Sequence, residues 1–318
     1  MANHQPASSK KQEPLDRILA NIRDLGLTDH LLELETQGYT TIPGVLSPAK
    51  VERAKAAIIA RVERTSGRKV DAAEETGAAF NGMQYVPYLL YDDAVFEEIL
   101  MEEKPLALVT WLLGESCLLS SMGCHFRGPG GMPLMLHSDN GNGMPAPFSP
   151  ISMVANINYA LTPYSREAGC LAMVPGSHRL QRQPTVHENF RPRDITMGEM
   201  TRLSQAGQTV DDLEWNDPPG VKPMTLLPGD AVIWHGNTWH GSFRRDLSGV
   251  RMNLAVYCNR QFVQTQERHE GPERDALIER HANDPRFAVL LGSKQPYGWR
   301  REGPDYRLMA RNPRGLHD

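Results

Sequence analysis

Four cysteines in 318 residues, Cys117, Cys124, Cys170 and Cys258, form no C-x-x-C pair and are too sparse for a disulfide framework. They read as buried thiols in a reducing compartment. No apolar run reaches the roughly 20 residues of a membrane-spanning helix. Neither sign of charge dominates. Lys and Arg number 34 against 38 Asp and Glu, for a formal net charge of −4. That balance argues against nucleic acid or an anionic membrane as the main partner. Met1 to Pro14 is polar and has no apolar h-region, so it reads as a disordered tail rather than a signal peptide. No internal repeat and no low-complexity block is present. With 40% hydrophobic and 23% charged residues the composition is that of an ordinary soluble domain, expected in the cytoplasm as a monomer or homodimer.

Periodicity changes along the chain. Residues 15–114 read as a mostly helical flank. Apolar spacing predicts helices over Leu27–Gln37, from Ser47-Pro48 to Gly67, over Asp93–Leu100 and over Lys104–Leu113, with a short strand over Tyr39–Val45. Residues 115–260 change to β texture. Leu118–Phe126, Leu134–Asp139, Ile151–Ala160, Leu171–Val174, Met224–Leu227, Asp230–His235, Trp239–Phe243 and Arg251–Cys258 are strand candidates between Gly/Pro clusters. About eight short strands suit a jelly-roll, cupin-like double sheet, so the fold class expected is mainly β with flanking helices. The long polar stretch 181–220 reads as an insertion and 261–318 as a C-terminal helix, Pro272–Ala282, and tail. All of 15–318 is taken as one domain.

The chemistry centres on Met135-Leu136-His137-Ser138-Asp139-Asn140. If this run is a strand, side chains at i and i+2 leave the same face, and His137 and Asp139 can grip one ion together. They supply two ligands of a 2-His-1-carboxylate triad. A third is available where Pro228-Gly229-Asp230 turns into an apolar strand and His240-Gly241-Ser242 follows a second turn. Two neutral imidazoles and a carboxylate suit Fe(II), with positions left for a bidentate cosubstrate and oxygen. Catalytic zinc would accept the same set with water in the fourth position.

In these residues the chain resembles the phytanoyl-CoA dioxygenase family of Fe(II)/2-oxoglutarate-dependent oxygenases. The likeness runs from LETQGYTTIPGVL, residues 34–46, to the strand ending near Cys258. It rests on four features in the family's order. His137-Ser138-Asp139 comes first, then Glu167 to Arg179 (EAGCLAMVPGSHR), which is similar to the family's NGxLxxxPGSHR hairpin. The Pro-Gly-Asp strand leading to His240-Gly241-Ser242 follows, and Arg251 lies eleven positions beyond His240. Ser138, where many members have Gln, and Ala168, where Asn is usual, depart from the pattern without removing a ligand. The resemblance implies Fe(II) on His137, Asp139 and His240, with O2 and 2-oxoglutarate as cosubstrates. It places Arg251 on the far carboxylate of 2-oxoglutarate, a role for which a forked guanidinium is suited. Ser242 would add a hydroxyl on the same strand face, and Asn158 falls at the strand position facing the cosubstrate. It further implies oxidation of a C–H bond, usually hydroxylation, with release of succinate and CO2. In related halogenases a small residue replaces the carboxylate, so Asp139 argues against halogenation.

Other residues carry competing readings. His235 lacks the Gly-Ser that follows His240 and has the wrong spacing to Arg251, so it is taken as structural or pocket-lining. His178 and Arg179 are expected to hold their turn by hydrogen bonds. Arg127 shares a strand face with His125. It reads first as half of a surface ion pair and second as a contact to an anionic substrate or cosubstrate group. Met122, Met132, Met135, Met144 and Met153 surround the HxD in sequence. Methionines usually fill cores but also line adaptable pockets, so Met135 stands as a substrate-binding candidate for an apolar small molecule. The Gly/Pro-rich run Asn140–Pro150 is expected at the entrance. Two other functional classes remain open at this stage: a cupin-like hydrolase or isomerase that does not use 2-oxoglutarate, and a non-catalytic metabolite-binding module.

Overall fold

The fold is built on an apolar helical layer that backs a six-stranded sheet, whose other face meets a four-stranded one. The computed structural model describes residues 13–74, 83–206, 213–293 and 299–304. The disordered tail expected at the N-terminus falls on residues 1–12, outside that range, as does the chain from 305 onward. Pro14 itself opens α1 (Pro14–Asp24), which the sequence reading left unassigned; its buried Ile18 and Ile22 are one turn apart. Next comes α2 (Thr28–Gln37), stopped by Gly38 in the left-handed region at φ 83°, then β1 (Tyr39–Ile42). In α3 (Pro48–Ser66) the Ser47 hydroxyl accepts from the Lys50 N–H, Pro48 begins the first turn, and Val51, Ala54, Ile58 and Val62 form one buried stripe. Burying each of the larger three contributes on the order of 2 kcal/mol. After β2 (Met83–Val86) come α4 (Ala94–Leu100), capped by the Asp93 carboxylate, and the largely apolar α5 (Glu103–Leu113).

The strands that follow are β3 (Leu118–Arg127), β4 (Leu134–His137), β5 (Val154–Ala160), β6 (Leu171–Met173), β7 (Arg191–Pro192), β8 (Trp215–Asn216), β9 (Lys222–Pro223), β10 (Ala231–His235), β11 (His240–Ser242) and β12 (Asn253–Asn259). They assemble as a six-stranded sheet in the order β1-β10-β5-β12-β3-β2 and a four-stranded sheet in the order β4-β11-β6-β9. Every pairing within the two is antiparallel, which makes the core a jelly roll. Met224–Leu227 is not a strand as expected. The β9 pairing falls just before it, and Leu226 makes an isolated bridge to Tyr164.

Two apolar clusters hold these layers. In the first, Ile157, Tyr159, Ala231, Ile233, Leu254 and Val256 leave one face of the large sheet and pack with Leu106, Val109 and Leu113 of α5. In the second, Val232, Trp234 and Ala160 leave the opposite face and meet Leu136, Leu171, Met173 and Phe243 of the small sheet. Strand β5 is buried along its whole length. Its Asn156 and Asn158 nevertheless alternate with Ile157 and Tyr159, so the sheet has a polar stripe on the face away from the helices. Arg260 ties the layers together by donating to the carbonyls of Leu112 and Leu113 at the end of α5 and of Ser152 before β5. Two further helices, α7 (Pro272–Arg280) and α8 (Pro285–Leu290), follow the sheets, after α6 (Met197–Gln205) in the 181–220 stretch. The expected Pro272–Ala282 helix is α7, with Leu277 buried; α8 had no counterpart in the sequence reading. All four cysteines are buried and unpaired. Among the described residues no helix is long and apolar enough to cross a membrane.

Candidate metal centre and its cavity

The register of the small sheet brings the two candidate histidines together. His240 of β11 lies directly opposite His137 of β4, with ring centroids 4.3 Å apart. Gly241 between His240 and Ser242 has no room for a side chain, because a Cβ would collide with the Leu134 carbonyl. Glycine thus lets β11 approach β4 at an irregularity in the register. Asp139 is not on the strand, as the i, i+2 argument assumed. It begins a 3-10 turn, Asp139–Asn142, yet its carboxylate still closes the group: Oδ1 is 3.7 Å from His137 Nε2 and Oδ2 is 3.5 Å from His240 Nε2. The ligand atoms of all three residues lie within 4.8 Å of one another.

Each donor is held in the form a metal needs. His137 Nδ1 is 2.9 Å from the Met135 carbonyl and His240 Nδ1 is 3.0 Å from that of Thr238. A carbonyl can only accept, so both Nδ1 atoms carry the proton and both Nε2 lone pairs face the centre. Burial brings His240 down to about 4, which keeps it neutral at physiological pH. Asn156 donates to Asp139 Oδ2 at 2.8 Å and the Trp234 indole at 3.3 Å. Sequence reading missed both, although paired asparagines alternating with apolar residues in one strand were a visible signal. The rival His235 has the opposite tautomer. Its Nδ1 accepts from the Asn237 N–H at 3.0 Å and its Nε2 faces the Pro150 carbonyl at 3.3 Å, so no lone pair is left for a metal.

The ligand-bearing edge is braced by residues that sequence reading left in the unassigned 181–220 stretch. Asn189 donates to the Leu136 carbonyl and accepts from its N–H, both at 2.8 Å. Gln183 does the same at Ser138, at 2.9 and 2.8 Å. Two side-chain amides thus take the place of a neighbouring strand, satisfying the backbone on either side of His137. No short-range motif marks such long-range pairs.

A cavity of about 390 Å³ opens on the triad between the sheets. One end of it is a corner with buried positive charge. Arg251 is 3% exposed, Ser242 3% and Asn158 1%, and all three line it. The Arg251 guanidinium lies 5.2 Å from the Tyr164 ring centre and donates Nη1 to the Gly169 carbonyl, while its Nε is buried with no hydrogen-bond partner. His125 Nδ1, in the same cavity wall, is likewise unpartnered. Burial, with Arg251 and Arg127 nearby, takes His125 down to about 3. Asn158 accepts from the Asn253 amide.

Arg127 is not half of a surface ion pair. It is 3% exposed, donates to Ser242 Oγ at 2.9 Å and to the Met132 carbonyl at 2.6 Å, and meets no carboxylate within salt-bridge distance among the described residues. Burial, with Arg251 and Arg245 as neighbours, brings it down to about 9, still charged at neutral pH. Met135 does not line the cavity. It packs against the apolar cluster of the small sheet and gives its carbonyl to His137. None of the described residues in the run 140–150 lines it either; Asn140 and the Ser149 carbonyl are engaged with Asn237. As expected, Arg179 holds its turn, donating to the Glu35 carbonyl at 2.8 Å.

The residues present therefore suit a metal with a 2-His-1-carboxylate preference beside a small dicarboxylate: neutral nitrogen donors, an oriented carboxylate, and buried guanidinium charge with an unused donor. Comparison with known proteins agrees. The sequence matches the phytanoyl-CoA dioxygenase (PhyH) family over residues 34–252. Dioxygenase af480 of Aspergillus fumigatus is 29% identical over 230 residues, 70% of this chain and 63% of that relative, so the chain spans under two thirds of the relative's length. Among solved structures, HygX from Streptomyces hygroscopicus with nickel and 2-oxoglutarate bound superposes with a TM-score of 0.53 at 17% identity, covering 75% of this chain and 88% of that one. The α-ketoglutarate-dependent epimerase SnoN from nogalamycin biosynthesis gives 0.50 at 18%, covering 76% and 87%. These likenesses support the jelly-roll fold. The family match spans most of the chain and contains all three candidate ligands and Arg251, and the chain belongs to the phytanoyl-CoA dioxygenase (PhyH) family of Fe(II)/2-oxoglutarate-dependent oxygenases.

Proposed function

We propose that this protein couples oxidation of a C–H bond in a small organic molecule, most simply its hydroxylation, to conversion of 2-oxoglutarate into succinate and CO2. The balance is R–H plus 2-oxoglutarate plus O2 giving R–OH, succinate and CO2. One observation carries the proposal: a His137–Asp139–His240 cluster, half-buried at His137 and buried at the other two, shares a single cavity with the Arg251 guanidinium. Fe(II) bound by those three residues, with 2-oxoglutarate and O2, would supply the oxidant.

The chain's own residues do the remaining work. The Met135 and Thr238 carbonyls fix the imidazole tautomers, and Asn156 with Trp234 holds one Asp139 oxygen. Arg251 takes the distal carboxylate of 2-oxoglutarate through charge-assisted hydrogen bonds. The Ser242 oxygen accepts from Arg127, so its own hydrogen is free to point at that carboxylate. Arg127 thus positions Ser242, and its charge adds to the field that draws a dianion into the corner. Buried guanidinium charge without a carboxylate partner is costly until an anion arrives.

Anaerobic titration of the Fe(II)-loaded protein with 2-oxoglutarate tests this. A metal-to-ligand charge-transfer band that saturates, and that needs much more 2-oxoglutarate in Arg251→Ala, is the expected outcome. No band, or an unchanged titration in Arg251→Ala, would favour a metal-dependent hydrolase or isomerase instead. Halogenation is disfavoured because Asp139 retains its carboxylate. Substrate is then sought by screening metabolites for stimulated succinate release.

A further inference from the structure

The cavity has a second end, remote from Arg251. Strand register sets a row of side chains across the large sheet. Trp234 pairs with Asn156, Asn156 with Tyr257 and Tyr257 with Ser121. All four line the cavity. The row begins at the two donors to Asp139 and ends two strands away from Asn156, on the order of 10 Å. A neighbouring row passes through Ala255 and Gly123, the small residues that open the hollow. Tyr85, on the edge strand β2, lies over this gap; a Cβ on Gly123 would collide with its hydroxyl. Gly123 is therefore the space the phenol occupies.

At the far end of the row Ser121, 3% exposed, donates to Gln266 Oε1 at 2.7 Å, and the part-exposed Tyr85 lines the same cavity. Gln266 belongs to the segment after β12, beyond the residues the family match covers. The Gln266 backbone is pinned by its N–H to Ser120 Oγ at 2.9 Å. Its carboxamide NH2 has no partner among the described residues. With Ser121 donating to Gln266, the cluster still offers the phenol hydroxyl of Tyr85 and the carboxamide donors of Gln266. Besides the triad and Arg251, the cavity lining contains no residue that carries a formal charge at neutral pH, since His125 is held neutral.

We propose that Tyr85, Ser121 and Gln266 form the substrate-recognition end of the cavity and bind the hydroxyl group of an uncharged small molecule. This rests on the oxygenase reading above. A hydroxyl complements the cluster because it donates one hydrogen and accepts others. An ammonium or carboxylate would be desolvated there with no counter-charge among the described lining residues of that end, Glu267 being turned to the Met122 and Tyr88 N–H groups. The carbon oxidised lies several bonds from the recognised hydroxyl, since the metal is at the other end of the row.

Cyclohexanol, cyclohexylamine and cyclohexanecarboxylate serve as probes that share a ring and differ in head group. The readout is relaxation of probe protons by Mn(II) held in the full-length protein with 2-oxoglutarate, against Mg(II) as diamagnetic blank. 2-Oxoglutarate binding is measured on the same samples. Saturable relaxation of cyclohexanol and not of the charged probes is expected, with affinity about fivefold weaker in Ser121→Ala and in Gln266→Ala. Gln266→Glu, at an exposed position, should turn the preference to cyclohexylamine, which a merely structural glutamine would not do. If 2-oxoglutarate binds but no probe is relaxed, or all three are relaxed alike, or the variants change nothing, the recognition proposal falls and the oxygenase reading stands. Failure of the wild type to bind 2-oxoglutarate would overturn that reading, and this proposal with it.

Discussion

The two ends of one cavity solve opposite problems. Around Arg251 the protein buries positive charge, with Arg127 and Arg245 close behind it, and leaves a guanidinium nitrogen unused. Around Ser121 the described lining is neutral, the buried Glu267 beside it being engaged with the Met122 and Tyr88 N–H groups, and the Ser121 hydroxyl donates to an exposed Gln266. In the proposed function the charged corner would take one invariant dianion and tolerate little change. The neutral end provides modest, geometry-dependent hydrogen bonds and can be retuned by a single side chain. The difference separates what an oxygenase must share with its relatives from what makes it choose a substrate.

The comparison breaks most completely if the centre between the two ends is removed. His240→Ala should abolish stoichiometric retention of Fe(II), read as metal content after desalting, and lower 2-oxoglutarate turnover by on the order of 10³ or more. At the charged end, Arg251→Ala should weaken 2-oxoglutarate binding by about 100-fold, and Ser242→Ala by about tenfold, since hydrogen bonds to charged groups are the strong ones. Equal losses in both would mean that Arg251 is no more than another neutral donor. Gln183→Ala addresses the edge that carries His137. Losing the amide that replaces a strand should raise the Kd for metal about tenfold, with the far-ultraviolet spectrum unchanged.

One further effect, on stability rather than binding, concerns a buried histidine outside both ends. Burial lowers His235 to about 4 from an ordinary value near 6.5. Between those values the unfolded chain binds more protons than the folded one, so His235 costs stability as pH falls through 6.5 towards 4. Chemical denaturation at pH 7 and pH 4.5 should show a loss from this group on the order of 2 kcal/mol, reduced in His235→Gln. An identical pH dependence in that variant would assign the acid sensitivity elsewhere, for example to His269, which burial also takes down to about 4.

Much of the frame was legible because its signals are local. Ser47-Pro48 announced α3, and alternation with Gly/Pro punctuation announced most strands. The metal ligands were legible because their residue types are rare in combination and the resemblance supplied their order. Arg127 misled because an arginine on a β-strand is usually solvated; here β2 and the chain after Gly130 cover it, and two acceptors satisfy it. Met135 misled because adjacency in sequence to a ligand is not adjacency in space. Leu134 and His137 line the cavity, whereas Met135, although two residues from His137, packs against the apolar cluster that holds Leu136. At six residues α8 is too short to show a helical period, whereas α1 carries a readable one in Ile18 and Ile22, one turn apart, that was not used.

What the sequence determined alone was the donor inventory: two imidazoles, a carboxylate and a guanidinium, each on a segment with a strong local preference. Those preferences survive in any context because backbone geometry and side-chain spacing set them. Tertiary structure decided which groups are dry, which tautomer each histidine adopts and which neutral residues share a wall. His235 and His240 are five residues apart, alike in composition and opposite in tautomer, because one meets an N–H and the other a carbonyl. Tyr85, Ser121 and Gln266 meet only because two strands and a loop far apart in the chain are brought side by side. Burial and long-range pairing are properties of the assembled sheets, so no stretch of the chain could display them by itself.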